Sequence, residues 1–287
     1  MHVISSLDRM RAVLGHWRAR NERIGLVPTM GNLHEGHLDL VRAAARRCDR
    51  VVVSLFVNPT QFGPGEDYQR YPRTRAADLE KLGAASCDLV WTPDVETMYP
   101  LSPGFSLLAP PALSCVLCGE HRPGHFDGVA NVVLRLFQQV RPQLAVFGEK
   151  DFQQLLIIKR LVQDLALAIE IQAWPTRREA DGLAMSSRNQ YLNEEQRVAA
   201  PQLYASLMDM SAALAAGEDW PAVRDRAWQR LEQHGFTPQY LAWRSAEDLG
   251  APQPGRPQRL LAAAVLGPAR LIDNLALDGA PINAAIK

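Results

Sequence analysis

The sequence predicts an α/β fold built on a parallel sheet, and three observations predict it. Short apolar runs alternate with helical patterns over roughly residues 1–175, as in consecutive strand–helix–strand units. The β-branched run 51–57 (VVVSLFV) is typical of a strand buried on both faces. Loops of unusual composition follow strands directly at 28–37, 58–63 and 148–151. We therefore expect a Rossmann-like, doubly wound parallel sheet followed by a smaller C-terminal α+β domain.

The first domain is expected to span residues 1–176. Helices are assigned from apolar residues three or four positions apart, as in Leu7, Met10, Leu14 and Trp17. Strands are assigned from short apolar runs bounded by turn residues, and a Pro/Ser-rich loop is expected around 100–111. In chain order the predicted elements are helix 6–20, strand 24–27, helix 36–47, strand 51–57, helix 73–83, strand 87–91, helix 127–140, strand 144–147, helix 152–165 and strand 168–173.

The character of the chain changes after Trp174. Residues 175–189 (PTRREADGLAMSSRN) are polar and lack apolar periodicity, so 177–189 are predicted to be a hinge or active-site loop. The second domain, residues 177–287, is predicted to be a small α+β lid. Its expected elements are helices 194–216 and 219–233 and strands 240–243, 260–265 and 270–272.

Charge and hydropathy exclude several classes of protein. Lys and Arg number 31, as do Asp and Glu, so the formal net charge is zero and no global positive field attracts nucleic acid or an anionic membrane. No apolar run approaches the roughly 20 residues of a membrane span. Charges interrupt the N-terminus before a signal-peptide core can form. We expect a cytoplasmic protein with no nucleic-acid or membrane partner.

The motifs indicate a phosphate-binding site. The sequence lacks GxGxxG, GxxxxGK[ST] and GxSxG, which argues against a dinucleotide turn, a P-loop and a hydrolase elbow. It places His34 and His37 where a helix begins after strand 24–27, and the N–H groups of a helix N-terminus bind anions. Segments 148–151 (GEKD) and 185–188 (MSSR) add an ammonium, hydroxyls and a guanidinium, all able to donate to phosphate oxygens. Parallel strands gather such loops at one sheet edge.

A zinc site is an open alternative. Cys115 and Cys118 form a CxxC, and His121 and His125 follow closely. A zinc ribbon needs a second ligand pair at defined spacing. The cysteines lie in an apolar run, which favours packing.

Six segments carry a resemblance to a known family. They are PTMGNLHEGH, FVNPTQFGPGEDYQRYPRT, RPGHFDGV, GEKDFQQL, DGLAMSSRN and ARLIDN. In order and spacing they resemble the pantoate–β-alanine ligase (pantothenate synthetase) family over nearly the whole chain. HxGH alone marks the wider nucleotidylyltransferase superfamily, whereas NPTQF, GEKD-x-x-Q and MSSRN together are far more specific.

The resemblance implies an ATP-dependent ligase. Enzymes of this family use ATP and Mg²⁺ to join (R)-pantoate to β-alanine, releasing AMP and pyrophosphate through a pantoyl-adenylate, in pantothenate and coenzyme A biosynthesis. No covalent enzyme intermediate is implied, which fits a site without an activated Ser or Cys. The resemblance also implies a homodimer.

The resemblance implies a role for each matching position. ATP would be bound by Met30, Gly31, Asn32, Leu33, His34, Glu35, Gly36, His37, Gly148, Glu149, Lys150, Asp151, Arg177, Met185, Ser186, Ser187 and Arg188. The catalytic residues among them would be His37, His34, Lys150 and Arg188. Pantoate and β-alanine would be bound by Gln61, Gln154 and Asn58. Arg122 and His125 are weaker candidates, and no metal ligand is assigned. His37 is expected to donate to the charge that develops at the α-phosphate and on pyrophosphate.

Two positions depart from the family pattern. Asn32 stands where alanine is usual, and Arg177 stands where valine is usual. If position 177 contacts ATP through its backbone the change is tolerable, and if through its side chain the affinity for ATP shifts.

Two further functions stay open at this point. Nucleotidyl transfer to a phosphorylated acceptor is disfavoured, because the neutral amides of Gln61 and Gln154 suit a hydroxy acid better. A non-catalytic nucleotide- or zinc-binding module would use Cys115 and Cys118.

Overall fold

The computed structural model describes residues 1–101 and 104–277. The chain forms two compact units. The first comprises the described residues of 1–149 together with 154–175, and the second comprises 150–153 together with the described residues from 176 onward. The short segment 150–153 therefore groups with the C-terminal part of the chain, whereas the expected domain boundary at 176 leaves it in the first domain.

The first unit is built on a parallel sheet of six strands within the described residues. The strands are β1 His2–Ile4, β2 Ile24–Thr29, β3 Arg50–Leu55, β4 Leu89–Trp91, β5 Leu144–Gly148 and β6 Glu170–Trp174. They lie in the order β1-β4-β3-β2-β5-β6, and every pairing is parallel. The four inner residues of β3 are buried, as its β-branched run predicts. The predicted α/β class is confirmed.

Helices flank this sheet. They are α1 Leu7–Ala19, α2 Glu35–Ala45, α3 Arg75–Ala84, α4 Val95–Met98, α5 Pro111–Ser114, α6 Cys118–His121, α7 His125–Val140 and α8 Phe152–Asp164. The longer ones match the predicted helices to within two residues at each end, because each carries a continuous apolar stripe. The four-residue helices α4, α5 and α6 are too short for such a stripe and were not predicted.

Two details of the sheet differ from the sequence prediction. Strand β1 was missed, since three residues at the sheet edge give too little pattern. Pro28 and Thr29 were expected to form a turn but extend β2. Proline is tolerated there because β5 pairs only with Gly25 and Leu26 of β2, so at Pro28 only β3 lies alongside.

The second unit carries helices α9 Glu194–Ala199, α10 Gln202–Ala215 and α11 Trp220–Gln233 and an antiparallel sheet of strands β7 Thr237–Ser245, β8 Gln258–Leu266 and β9 Ala269–Leu277. The prediction of one helix over 194–216 is wrong. Pro201 lacks an N–H and separates α9 from α10. The three strands are longer than their apolar runs, which mark only their buried centres.

In the described ranges, no helix combines the length and apolar character that crossing a membrane requires.

Candidate active site

The sheet order puts the loops after β2 and β3 side by side. From β2 the chain continues outward through β3 and β4 and then returns to β5 on the other side of β2. This reversal of strand order is a topological switch point, where doubly wound sheets bind ligands beyond the carboxyl ends of their strands. The predicted segment 28–37 follows β2, and Gly148 and Glu149 come at the end of β5.

The turn after β2 has an unusual backbone. Gly31 and Asn32 both have positive φ, 85° and 51°. Glycine adopts this left-handed region freely, and asparagine tolerates it better than other residues with a side chain. Asparagine therefore suits position 32 of this chain better than the alanine usual in the family.

The buried carboxylate of Asp78 holds this turn. Only 1% of Asp78 is exposed, and it accepts the backbone N–H groups of Asn32 at 2.9 Å and Leu33 at 2.8 Å. The Thr74 hydroxyl donates to the same carboxylate at 3.2 Å. Lys81 donates to the Leu33 carbonyl at 2.6 Å. Helix α3 thus fixes the turn with a carboxylate in an anion-binding nest of backbone amides.

Sequence reasoning missed Asp78. A signal was present, because Asp78 lies four residues before the buried Leu82 and so shares the core-facing side of α3. A carboxylate on a buried helix face must be bound by donors from another element.

The next residues place two imidazoles at the start of α2. His34 is the N-cap residue of this helix, and its N–H donates to Nδ1 of His37 at 3.3 Å. The ring centroids of His34 and His37 are 4.0 Å apart. A ring nitrogen that accepts a hydrogen bond carries no proton, so neutral His37 has its proton on Nε2. His37 therefore presents an N–H donor beside the first-turn amides, which include Glu35 and Gly36.

A 3₁₀ turn, Pro59–Gln61, follows β3 and is organised by Asn58. Asn58 is 1% exposed. Its Oδ1 accepts the Tyr99 hydroxyl at 2.7 Å, and its Nδ2 donates to Gln61 Oε1 at 3.1 Å and to the Gly128 carbonyl at 3.2 Å. Burial raises the pKa of Tyr99, which keeps the phenol protonated as the donor. The Asn58 amide is thus engaged inside the fold.

These contacts orient the Gln61 amide. Because Oε1 of Gln61 faces Asn58, its Nε2 lies on the other side, 3.1 Å from the sulfur of Met30. A thioether is a weak acceptor, so this NH₂ group retains donor capacity for a ligand. The structure brings Met30 and Gln61, from two different predicted loops, into contact.

The RPGH segment holds the backbone of Gln61. Arg122 donates to the Gln61 carbonyl at 3.3 Å. The same guanidinium binds Glu66 through two hydrogen bonds of 2.7 and 2.6 Å and contacts Nε2 of His125 at 2.9 Å. Nδ1 of His125 lies 2.7 Å from the same carbonyl, so it must carry the proton. Burial raises the pKa of the Glu66 carboxyl, but the hydrogen bonds and charge of Arg122 outweigh it and hold that pKa below its usual value. Arg122 and His125 thus position Gln61.

Helix α7 packs against the same turn at a glycine. A Cβ built on Gly128 would lie 2.2 Å from the Thr60 carbonyl oxygen and 2.7 Å from the Gln61 Cα. Only a residue without a side chain permits this approach of two backbones.

Gln154 is the third residue of α8 and is half-buried in the first unit.

In the second unit, Lys150 lies in the short segment 150–153. Its side chain is 18% exposed, and its Nζ is 4.0 Å from Asp151 Oδ2. Its carbonyl accepts a hydrogen bond of 3.0 Å from the Asn274 side chain. Asn274 lies in the ARLIDN segment, and the sequence alone assigns it no role.

The predicted hinge segment forms an ordered loop. The Met185 N–H donates to the Arg177 carbonyl at 2.9 Å, and the side chain of Arg177 is exposed. Ser186 is the N-cap residue of a 3₁₀ turn, Ser187–Tyr191, and its Oγ accepts the Arg188 N–H at 3.3 Å. An Oγ that accepts keeps its own proton available to donate.

The zinc alternative gains no support from the structure. Cys115 is an exposed thiol and Cys118 a buried one. No group of three or more His, Cys, Asp or Glu side chains able to hold a metal occurs in residues 1–101 and 104–277.

Sequence comparisons place the chain among proteins of one description. A family model described as pantoate-beta-alanine ligase matches residues 2–276. Pantothenate synthetase from Halorhodospira halophila is 53% identical over 279 residues, covering 96% of this chain and 98% of that protein. Pantothenate synthetase from Pseudomonas aeruginosa is 52% identical over 280 residues, covering 96% and 99%.

Solved structures of proteins with the same description share the fold of this chain. Pantothenate synthetase from Thermus thermophilus superposes with a TM-score of 0.89 at 44% identity, covering 96% of this chain and 99% of that one. The pantoate-beta-alanine ligase from Francisella tularensis, a complex with beta-gamma ATP and beta-alanine, gives a TM-score of 0.84 at 31% identity, covering 97% and 98%.

The close approach at Gly128 predicts that substitution by alanine destabilises the protein at this position and stabilises it at Gly15, a helical glycine with open space around it. Gly128→Ala should lower the free energy of unfolding by about 1–3 kcal/mol or more, because the new methyl group overpacks against the Thr60–Gln61 backbone. Gly15→Ala in α1 is the matched control, since nothing lies within 4 Å of its Cβ position. It should raise stability by about 0.5–1 kcal/mol. Urea unfolding of both variants is the measurement, and equal effects would contradict the packing argument.

Proposed function

Because the chain belongs to the pantoate–β-alanine ligase family, we infer that it is the AMP-forming ligase that condenses (R)-pantoate with β-alanine. The products are pantothenate, AMP and pyrophosphate, so the enzyme serves pantothenate and coenzyme A biosynthesis. The match of the family model to residues 2–276 carries this conclusion. The alternative of a phosphorylated acceptor has no comparable support.

The reaction has two displacements. A pantoate carboxylate oxygen attacks the α-phosphorus of ATP, and the bond between this phosphorus and the oxygen bridging to the β-phosphate breaks. Pyrophosphate leaves with that oxygen, and the pantoyl-adenylate is formed. The β-alanine amine then attacks the acyl carbon, the acyl–oxygen bond breaks, AMP leaves, and the nitrogen loses a proton as the amide forms. Neither step needs a nucleophile from the protein, so the residues act by positioning and by stabilising charge.

The phosphate chain of ATP is proposed to bind the first turn of α2. Unpaired amides at a helix start stabilise anions, and Met30 to His37 contain this turn. His37 presents its Nε2–H as Nδ1 accepts from His34, which suits donation to the oxygens that gain charge in the first step. His34 is proposed to assist, and Gly148 and Glu149 to border the nucleotide.

Cationic and hydroxyl side chains are also proposed to bind ATP. Among the described residues, the ion pair of Lys150 is a 4.0 Å contact with Asp151, which is weak enough for its ammonium to bind phosphate instead. Arg188 and the hydroxyls of Ser186 and Ser187 are proposed as further donors, with Met185 and Asp151 lining the nucleotide. Arg177 is proposed to contribute through its backbone, because the hydrogen bond from Met185 fixes that backbone within the loop whereas the side chain is exposed.

The acid substrate is proposed to bind the amides of Gln61 and Gln154. An amide both donates and accepts, which suits a carboxylate flanked by hydroxyls. Gln61 directs its NH₂ away from Asn58, which leaves a donor for pantoate or β-alanine. Asn58 is proposed to act through Gln61, because its own polar atoms are bound inside the fold.

Magnesium is proposed to arrive with ATP. The described residues hold no cluster of three potential metal ligands, whereas Mg²⁺ in phosphate-transfer sites is bound largely by substrate phosphates and water. The ion would neutralise phosphate charge, and the protein would orient the resulting complex.

The reaction predicts a defined stoichiometry. With pantoate, β-alanine, ATP and Mg²⁺, each pantothenate formed should be matched by one AMP and one pyrophosphate, measured by chromatography and a coupled pyrophosphate assay. Chelation of Mg²⁺ should abolish turnover, and its return should restore it. Formation of ADP and phosphate would rule out adenylation.

His37 can be tested on the first step alone. His37→Ala should slow pyrophosphate release from pantoate and ATP by about 10²–10³-fold, the scale for losing one preorganised donor. His37→Gln should recover part of this loss, since its amide N–H can replace Nε2–H. His16→Ala, at an exposed histidine of α1, is the control and should leave the rate unchanged. A normal rate in His37→Ala would remove His37 from the mechanism.

A homodimer is proposed through an exposed apolar segment, 104–108. Phe105 is fully exposed and Leu108 is 77% exposed. The backbone of this segment is nevertheless fixed, since the Asn131 side chain of α7 exchanges two hydrogen bonds with Leu107. Large apolar side chains on a fixed backbone are typical of an interface.

A cytoplasmic location stays a prediction from the sequence.

Sedimentation tests the dimer. The wild-type chain should sediment as a dimer at micromolar concentration, and Phe105→Ser with Leu108→Ser should shift it to the monomer without loss of thermal stability. A monomeric wild-type protein would refute the proposal.

A further inference from the structure

We propose that Asn274 of β9 is a positioning residue for Lys150. It binds the backbone carbonyl of Lys150 and so fixes the point from which the lysine side chain reaches phosphate. This inference rests on the phosphate-binding role proposed above for Lys150, and it gives the ARLIDN segment a function.

The contact is direct, and its donor residue is buried. Nδ2 of Asn274 donates to the Lys150 carbonyl at 3.0 Å, and only 5% of Asn274 is exposed. Residues 150–153 group with the C-terminal unit although they directly follow a strand of the first unit. The sheet β7-β8-β9 therefore determines where Lys150 lies within its unit.

A second residue fixes the orientation of the Asn274 amide. Arg259 of β8 is buried and donates from its guanidinium to Asn274 Oδ1. Arginine can only donate, so Oδ1 must face Arg259 and the NH₂ must face the Lys150 carbonyl. The sheet register pairs Asn274 with Leu261, which makes Arg259 its diagonal neighbour on the same face.

Arg259 also contacts the lysine segment directly. Its guanidinium lies over the Phe152 ring, 3.9 Å from the centroid, in a cation–π contact. Segment 150–153 is thus held at two points, at the Lys150 carbonyl by Asn274 and at Phe152 by Arg259. Two contacts on a four-residue segment restrict both its position and its rotation.

The preceding residue binds the other proposed ATP segment of this unit. Asp273 accepts two hydrogen bonds from Arg178, of 2.6 and 2.9 Å, and its side chain is 2% exposed. Arg178 also donates to the Gly182 carbonyl at 3.1 Å and lies 3.5 Å from the centroid of the Tyr204 ring. Consecutive residues of β9 therefore anchor the loop that begins at Arg177 and the segment that carries Lys150.

Two substitutions separate positioning from stability. Asn274→Ala removes the donor. Asn274→Asp keeps the size and gives Arg259 a carboxylate partner, yet it places an oxygen against the Lys150 carbonyl. We expect both to slow pyrophosphate release between about 10-fold and 100-fold, as for a small misplacement of a catalytic group. Asn274→Asp should lose less stability than Asn274→Ala, because its carboxylate pairs with Arg259, and should nevertheless lose at least as much activity. A merely structural role would instead make activity follow stability.

Gln258→Ala is the matched control. Gln258 is also a buried amide of the same sheet, 5% exposed, and it donates to a backbone carbonyl, that of Gln253, at 2.7 Å. It has no hydrogen bond to segment 150–153 among the contacts of the described residues. Its loss should lower stability as Asn274→Ala does and leave the rate of the folded enzyme unchanged.

A double-mutant cycle with Lys150→Ala tests whether Asn274 affects the rate through the side chain of Lys150. If Asn274 acts through the lysine side chain, Asn274→Ala should slow the first step no further in the Lys150→Ala background. Additive losses, or a normal rate in Asn274→Asp, would overturn the positioning role. A normal rate in Lys150→Ala alone would instead refute the role of Lys150 in the proposed function.

Discussion

The binding of two backbone amides by the buried Asp78 carboxylate is the constraint on which the phosphate-binding part of the candidate site in the first unit depends. The chain leaves β2 with two successive residues at positive φ, a conformation that persists only when its surroundings hold it. Asp78 supplies the acceptors, and Lys81 from the same helix supplies the donor to the adjoining carbonyl. This turn determines where α2 begins, and so where the first-turn amides and His37 lie.

The same device recurs at the other site segments. The carbonyl of Gln61 is held by Arg122 and His125, and the carbonyl of Lys150 by Asn274. In each case a half-buried or buried polar side chain binds the backbone of a residue proposed to contact substrate. A backbone held in this way keeps the proposed substrate-binding side chains in place before the reaction, and hydrogen bonds stabilise a transition state most when their donors are preorganised.

The sequence predicted the features that depend on local pattern. Apolar periodicity located the long helices, and parallel strands placed the loops after β2 and β3 at one edge, where Met30 meets Gln61. The contacts that hold these loops join residues far apart in the chain, 46 positions between Asn32 and Asp78 and 124 between Lys150 and Asn274. No periodicity marks such pairs, because each depends on how finished elements pack. The break at Pro201 had a local signal, yet the Ala- and Leu-rich run around it favoured one helix.

Ion pairing inside the fold narrows the choice of phosphate ligands. Arg122 and Arg178 each bind a carboxylate, Glu66 or Asp273, through two hydrogen bonds shorter than 3 Å, so binding phosphate would require breaking a charge-assisted pair. Lys150 contacts the carboxylate of Asp151 at 4.0 Å, a contact of little energy at a partly exposed position. From the sequence, the family resemblance gives Lys150 a catalytic role, makes Arg122 a weaker candidate and assigns no role to Arg178. The ion pairs of Arg122 and Arg178 therefore stabilise the fold, whereas the weak contact of Lys150 is compatible with its proposed role in binding phosphate.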